Sequence, residues 1–174
     1  MDITQLILDD HHEQRRLFAI LEQIPRDDTR SLTAVWSRLS AFLGTHAEAE
    51  EQIFYPALLR LGEGGGEDTA PEAETRDAIH DHNDIRDAVA NVASHDVGGD
   101  DWYEAVARLA KANGDHMAEE EREGLTAFRR RESLQERHHL GVAFAAFEAA
   151  HVSGVAPQDK DPVEYVEQHL HDGL

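Results

Sequence analysis

The chain has 174 residues, which suits one domain burying about two-thirds of the surface exposed by its unfolded form. It contains no cysteine, which excludes disulfides, thiolate metal sites and iron–sulfur clusters and leaves His, Asp and Glu as possible metal ligands. A formal net charge of −20 argues against nucleic acid or an anionic membrane as a partner, because negative phosphates would repel the chain.

The N-terminal sequence Met-Asp-Ile-Thr lacks the basic region of a secretory signal. The longest apolar stretch, residues 142–152, is interrupted by Glu148 and His151 and is too short to span a bilayer. We therefore expect a cytoplasmic protein.

Amphipathic periods of the helical type begin at the N-terminus. The first predicted helix covers residues 3–24 and stops before Pro25, with His11 inside its apolar arc. The second opens near Ser31, and Pro56 is expected to bend or end it. Its predicted inward residues share one face with the apolar stripe: Leu32, Val35, Leu39, Phe42, His46, Glu50, Ile53 and Ala57.

After a flexible acidic connection over residues 62–71, a third helix is predicted over 71–93, with His82 in its apolar stripe. A turn follows, and Asp100 or Asp101 is expected to cap a fourth helix. Four helices of about 20 residues, each about 30 Å long, predict an all-α, up-down-up-down four-helix bundle. We assign residues 1–131 to this bundle.

Residues 132–174 are predicted to form a C-terminal helical extension with no counterpart in the preceding sequence. Residues 134–151 have the pattern of an amphipathic helix, whose apolar side chains would cover the bundle or pair with another subunit as a homodimer. A linker over 153–160 and a short final helix from Asp161 complete the chain.

One pattern occurs twice: a histidine followed, 35 or 34 residues later, by a His-x-x-x-Glu pair. The copies are offset by 71 or 70 residues. Its members are His11, His46 and Glu50 in the first copy and His82, His116 and Glu120 in the second. Because each histidine falls midway along its own helix, antiparallel packing would bring all four to one depth. The repeat predicts a duplicated helix pair with a two-metal site on its pseudo-two-fold axis.

A lone buried histidine is more often a hydrogen-bonded core residue than a ligand, so the prediction depends on the whole set. Residues four apart share a helix face, so each His-x-x-x-Glu pair can approach the same metals. Four imidazoles and two bridging carboxylates would give each ion four protein ligands. Two positions per octahedral ion would remain for a bridging hydroxide or oxide and an exogenous ligand. This donor set favours iron, with manganese or zinc less favoured.

The neighbours of these residues also repeat. Glu51 and Glu121 each follow a proposed bridging carboxylate, and we expect them to rotate out of the site. If the helical register differs by one residue, they become the ligands instead. Asp10 and Asp81 precede ligands and are expected to be solvated rather than bonded to them.

Three further side chains have open roles. Arg15 and Arg86 follow His11 and His82 by four residues and could line the mouth of the site and attract anions. Tyr55 could hydrogen-bond a bound oxygen species, although a core or surface role is favoured.

At these residues the chain resembles the hemerythrin-like (HHE, cation-binding) family over about residues 5–130. The matching segments are Asp10-His11-His12-Glu13, the run from His46 to Pro56, Asp81-His82-Asn-Asp-Ile85-Arg86 and the run from His116 to Glu121. The resemblance implies a four-helix bundle with a non-haem di-iron centre. Carried over residue by residue, it implies the ligands His11, His46, Glu50, His82, His116 and Glu120.

The chain departs from the oxygen-carrying members of that family. They have a second histidine where this chain has Arg86, and an Asp five residues after the fourth-helix histidine, where this chain has Glu120 at four. It is instead similar to the branch with two His-x-x-x-Glu helices, which implies oxygen sensing or peroxide decomposition rather than reversible oxygen carriage.

Three function classes follow from these observations. The first is a di-iron protein that binds or senses O2, NO or peroxide. The second is a di-iron enzyme that decomposes hydrogen peroxide or detoxifies nitric oxide. The third is an interaction module that the metal only stabilises. The sequence itself does not separate them.

Overall fold

The computed structural model describes residues 1–62 and 70–171. Most of the acidic connection predicted over 62–71 lies outside these residues, as does the end of the tail. The helices of the described residues, in chain order, are α1 (Ile3–Gln23), α2 (Thr29–Ala49), a π-helical turn (Glu50–Phe54), α3 (Tyr55–Arg60), α4 (Ala70–Ala93), α5 (Asp100–Arg122), α6 (Gly124–Arg131), α7 (Leu134–Ala150) and α8 (Pro162–His171).

Short polar side chains set where several helices begin. The Asp2 carboxylate accepts from the backbone N–H of Thr4 at 3.0 Å, and Asp28 accepts from Ser31 at 3.1 Å. The expected cap of the fourth bundle helix is wrong. Gly99 occupies the N-cap position of α5 without a side-chain bond, and the Asp100 carboxylate instead pairs with Arg26 at 2.5 Å.

The π-helical turn explains how Pro56 fits within one continuous helical rod. Proline lacks a backbone N–H, and its ring clashes with the carbonyl four residues earlier, so an α-helical register across it is disfavoured. The backbone N–H of Tyr55 bonds instead to the carbonyl of Glu50, five residues back. The hydrogen-bonded turn after Glu50 therefore contains one residue more than an α-helical turn, and the α-helix resumes as α3.

Helices α1, α2, α4 and α5 form the bundle, with α1 packed on α2 and α5, and α4 packed on α5 and α2. The all-α four-helix bundle predicted from the sequence is confirmed. Two separate apolar clusters fill its interior. One includes Leu21, Trp36 and Trp102, and the other includes Phe54 and Phe128. The four histidines of the repeat lie between these clusters along the helices.

The C-terminal extension packs on the bundle on two sides. Helix α7 contacts α1 and α2, and α8 contacts α4 and α3. Leu140 and Phe144 of α7 are buried against the chain's own bundle. The apolar face on which the homodimer prediction depended is thus largely covered within one chain. A homodimer stays a prediction, as does the division of the chain at residue 131.

The turn between α4 and α5 requires a glycine. Gly98 has φ +86°, a left-handed conformation that other residues rarely adopt. A Cβ atom at this position would lie 2.6 Å from the backbone oxygen of Arg26. Gly98 therefore lets the α4–α5 turn pack closely on the end of the α1–α2 connection.

No helix in the described part of the chain combines the length and apolar character that crossing a membrane requires.

Candidate metal centre

The structure brings all six side chains of the repeat together in the middle of the bundle. Nε2 of His46 lies 3.0 Å from Oε1 of Glu50, and Nε2 of His82 lies 3.3 Å from Oε2 of the same carboxylate. Nε2 of His11 lies 3.3 Å from Oε2 of Glu120. The six residues are buried in the protein interior, and each of the four long bundle helices supplies at least one of them: His11, His46, Glu50, His82, His116 and Glu120.

These side chains form two neighbouring groups that share one carboxylate. Nε2 of His11 and of His46 lie 3.9 and 3.0 Å from Oε1 of Glu50, whereas His82 and His116 form a second group with Glu50, in which Nε2 of His82 lies 3.3 Å from Oε2. The Nε2 atoms of His82 and His116 lie 3.1 Å apart. A carboxylate with its two oxygens facing two separate histidine pairs is the arrangement that a bridging ligand between two cations needs.

Several polar atoms at this centre lie close to one another but make no well-directed hydrogen bond within the described residues. They are His11 Nε2, His46 Nε2, both oxygens of Glu50 and Oε2 of Glu120. Leaving buried charged or polar atoms unpaired costs several kcal/mol, and native proteins avoid it unless the atoms bind something. Here the unpaired atoms face one another, so bound cations would satisfy them together.

An outer layer of carboxylates fixes the rings. Nδ1 of His82 lies 2.7 Å from Oε1 of Glu51, and Nδ1 of His11 lies 2.9 Å from Oε1 of Glu121. An ionised carboxylate only accepts, so Nδ1 of each ring carries a proton, and Nε2 faces the centre as the nitrogen that can bind a cation once it is deprotonated. The expectation that these two glutamates rotate out of the site is wrong. They lie beside the ligand set, each bonded to a histidine from the other half of the repeat.

The two aspartates complete this outer layer. Nδ1 of His46 lies 3.1 Å from Oδ2 of Asp10, and Nδ1 of His116 lies 3.4 Å from Oδ2 of Asp81. The expectation that Asp10 and Asp81 are solvated rather than bonded to the ring histidines is also wrong. Asp10 of α1 therefore bonds His46 of α2, and Asp81 of α4 bonds His116 of α5.

The two arginines neutralise outer carboxylates rather than standing free at a mouth. The Arg86 guanidinium donates to both oxygens of Glu51, at 2.7 and 2.8 Å, and Arg15 donates to Glu121 at 2.8 Å. Burial raises the pKa of Glu51, but its bond with His82 and the nearby cationic charges outweigh burial and lower that pKa to about 2. The bonds from His11 and Arg15 lower the pKa of Glu121 to about 2 as well.

Tyr55 breaks the symmetry of the centre. Its side chain is fully buried, and its hydroxyl donates to Oε1 of Glu120 at 2.9 Å. Leu125 follows Glu120 by five residues, as Tyr55 follows Glu50, so the second half of the repeat offers no matching hydroxyl. The favoured expectation, a core or surface role, understates Tyr55, because its one polar atom bonds a predicted ligand.

Helix α7 adds a carboxyl group that no sequence pattern predicted. Glu148 lies beside Asp10 and His46, and potential ligand atoms of the three lie within 4.8 Å of one another. Burial and the Asp10 carboxylate raise the pKa of Glu148 to about 8. Glu148 also lines a cavity of about 600 Å³ between α2 and α7. It lies outside the repeat, so no spacing argument could have placed it.

Comparison with known proteins agrees with this geometry. The sequence model of the hemerythrin HHE cation-binding domain matches residues 2–127, which contain all six convergent side chains and the whole four-helix core. The chain belongs to the hemerythrin HHE cation-binding family. Its buried His and Glu groups fit a metal-binding member of that family.

Among curated proteins, this HHE chain is similar to a protein of Nostoc sp. named a DNA nickase. The two are 24% identical over 147 residues, which is 84% of this chain and 39% of the Nostoc protein. The HHE chain thus spans about two-fifths of that relative's length. No solved structure shows a significant match to it.

Proposed function

We propose that this HHE protein holds two iron ions in a non-haem centre and binds O2, NO or peroxide there. The observation that carries the proposal is the set of buried, unpartnered nitrogen and oxygen atoms that face one another at the middle of the bundle. The Nδ1 atoms of the four histidines already bond the outer carboxylates. The Nε2 atoms and the Glu50 and Glu120 oxygens, which face the centre, are therefore best explained as metal ligands.

The residues fit two cations of this kind. His11, His46 and Oε1 of Glu50 would hold one ion, and His82, His116 and Oε2 of Glu50 would hold the other. Glu120 would complete the set. Mixed imidazole and carboxylate donors with room for further ligands suit iron better than a closed structural zinc site. When bound, iron supplies Lewis acidity and one-electron redox chemistry toward small oxygen or nitrogen species.

The chain's own residues shape what such a ligand meets. Tyr55 holds a phenolic proton on the Glu120 side of the centre, where it can bond a small ligand's oxygen if Glu120 moves. Phe144 covers His46, with ring centroids 6.0 Å apart, and limits the entry of water on the α7 side. The interior therefore favours small ligands over organic substrates.

Peroxide decomposition is the second candidate, and Glu148 is the observation that favours it. With its pKa near 8, this carboxyl holds a proton at neutral pH between the α2–α7 cavity and the Asp10–His46 pair. A peroxide-cleaving centre needs a nearby proton donor to release water. Glu148 offers that proton without being one of the predicted ligands.

The activity in the Nostoc relative's name is not part of this proposal. The match covers 39% of that protein, and a net charge of −20 on this chain repels the phosphates of DNA.

The test is metal content with an absorption spectrum, before and after hydrogen peroxide. We expect about two irons per chain and a spectrum that changes on exposure to O2, NO or peroxide. Glu50→Ala should lose most of the iron, because it removes the shared carboxylate. Glu119→Ala changes an exposed neighbour of Glu120 and serves as the matched control.

The outcome also separates the candidates. Sustained oxygen release from peroxide, absent in Glu50→Ala and retained in Glu119→Ala, favours the enzyme. A reversible spectral change without turnover favours the binding protein. Protein that folds and takes up no iron would refute both.

A further inference from the structure

Lys160 reaches from the C-terminal extension to the outer layer of the centre. It lies between α7 and α8, and its Nζ donates to Glu48 at 2.9 and 3.0 Å and also to Oε2 of Glu51. Asn83 fixes the Lys160 backbone on both sides. The Asn83 amide donates to the Lys160 carbonyl at 2.7 Å, and its side-chain oxygen accepts from the Lys160 N–H at 3.1 Å.

A second residue of the extension bonds the same glutamate. Tyr165 of α8 is buried, and its hydroxyl donates to the backbone carbonyl of Glu51. That carbonyl lies in the π-helical turn, where the α-helical bonding pattern is interrupted. Lys160 and Tyr165 together therefore hold Glu51 by its side chain and by its backbone.

Glu51 passes this restraint to a predicted ligand, because its carboxylate holds Nδ1 of His82 at 2.7 Å. A ring fixed at Nδ1 has its Nε2 lone pair fixed in direction. Glu51 is also fully buried and needs cationic partners to remain ionised there. Lys160 and Arg86 supply fixed positive charge at this carboxylate, in addition to its bond with His82.

The other half of the repeat is held differently. The Glu121 side chain is 28% exposed, whereas that of Glu51 is fully buried, and the guanidinium that pairs with Glu121, from Arg15, lies at the surface. The Glu121 carbonyl accepts from Thr126, five residues along the same chain segment. Within the described residues, Glu121 is bonded by His11, Arg15 and Thr126, all of which precede the C-terminal extension, whereas Glu51 also accepts from Lys160 and Tyr165 of that extension.

We propose that Lys160, supported by Tyr165, is a positioning residue for the His82/His116 metal position. The C-terminal extension thereby makes the two positions unequal, with the His82/His116 position the more tightly held. This inference rests on the proposed metal centre. The extension would thereby introduce a difference between the two metal positions that the near two-fold repeat of the bundle does not.

The test is a stepwise titration of the metal-free 174-residue protein with Co²⁺, followed by visible absorption. We expect two binding steps in the unchanged protein. His82→Ala and His11→Ala, each removing one histidine, identify which step belongs to which position. Lys160→Met should weaken the His82 step about tenfold and leave the His11 step within twofold, as expected for loss of an outer partner.

Three further variants separate positioning from general stability. Tyr165→Phe should weaken the same step by a smaller factor. Lys160→Arg, which keeps the cation, should restore most of the affinity. Lys111→Met removes an exposed lysine paired with Asp115 and should change neither step. Circular dichroism checks that each variant keeps its helix content, so that a folding defect is not read as weaker binding.

Equal weakening of both steps in Lys160→Met, or no weakening, would overturn the positioning role while leaving the two-metal centre intact. Unchanged protein that binds no Co²⁺ would instead overturn the proposed function, and this inference with it.

Discussion

The most demanding prediction concerns Glu51→Gln. Glu51 is fully buried and holds three cationic or donor groups: His82, Arg86 and Lys160. Glutamine keeps the shape and can still accept one of these bonds, but it carries no charge. The change leaves the Arg86 guanidinium, whose side chain is 8% exposed, without its main counter-charge. Breaking one partner of a buried ion pair costs roughly 3–5 kcal/mol, and we expect about 3 kcal/mol because Lys160 keeps Glu48.

Glu121→Gln is the matched control, because Glu121 occupies the equivalent place in the other half of the repeat. Its side chain is 28% exposed and its partner Arg15 is 40% exposed, so solvent screens the lost charge. We expect its loss to be about 1 kcal/mol or less.

The assay is urea unfolding of the metal-free proteins at pH 7, followed by circular dichroism. Equal losses of stability in the two variants, or an unchanged urea midpoint for Glu51→Gln, would show that the buried charge of Glu51 does not stabilise the fold.

Burial lowers the pKa of His82, but the nearby Glu50 and Glu51 carboxylates outweigh burial and raise that pKa to about 9, so Nε2 of the metal-free ring holds a proton that a cation must displace. Cobalt affinity should therefore rise between pH 6 and about 9. The contribution of protonated His82 to the stability of the metal-free protein is full below the ordinary pKa of 6.5 and should be lost between pH 6.5 and 9. A cobalt affinity that does not change with pH would contradict this. Tyr55→Phe should cost about 1–3 kcal/mol in urea unfolding, because the buried Glu120 loses its donor, and an unchanged midpoint would show that the bond contributes nothing. Gly98→Ala should cost about 1–3 kcal/mol and lower the melting temperature, because φ is positive and the added Cβ meets a backbone oxygen; no shift in melting would show that the turn relaxes freely.

The sequence predicted the bundle and the six central positions because both follow from one period. A histidine placed in the apolar stripe of each helix must face the interior, and equal spacing along antiparallel helices brings such residues to one depth. Pro56 was expected to bend or end its helix. The regular α-helix does end before it, at Ala49, and a π-helical turn joins α2 to α3.

The outer layer was misjudged because a helical wheel considers one helix at a time. A residue next to a central position is turned by about 100°, which on an isolated helix means toward solvent. In a four-helix bundle the same rotation of about 100° directs the side chain toward a neighbouring helix. Glu51 on the π-helical turn after α2 therefore meets His82 of α4, and Asp10 of α1 meets His46 of α2.

Lys160 and Glu148 had no sequence signal of any kind. They belong to segments without a repeat partner, and they approach the centre through the tertiary packing of α7, α8 and the segment between them. Contacts between residues more than 100 positions apart leave no periodicity in a single sequence.

The position of the charged layer between two apolar clusters has a consequence for how such a protein can change. Each cluster fills one end of the bundle, and neither includes any of the six central side chains. Substitutions at either end can thus change the stability of the fold while the geometry of the six central side chains is kept. Stability and the chemistry proposed for the centre can therefore vary independently.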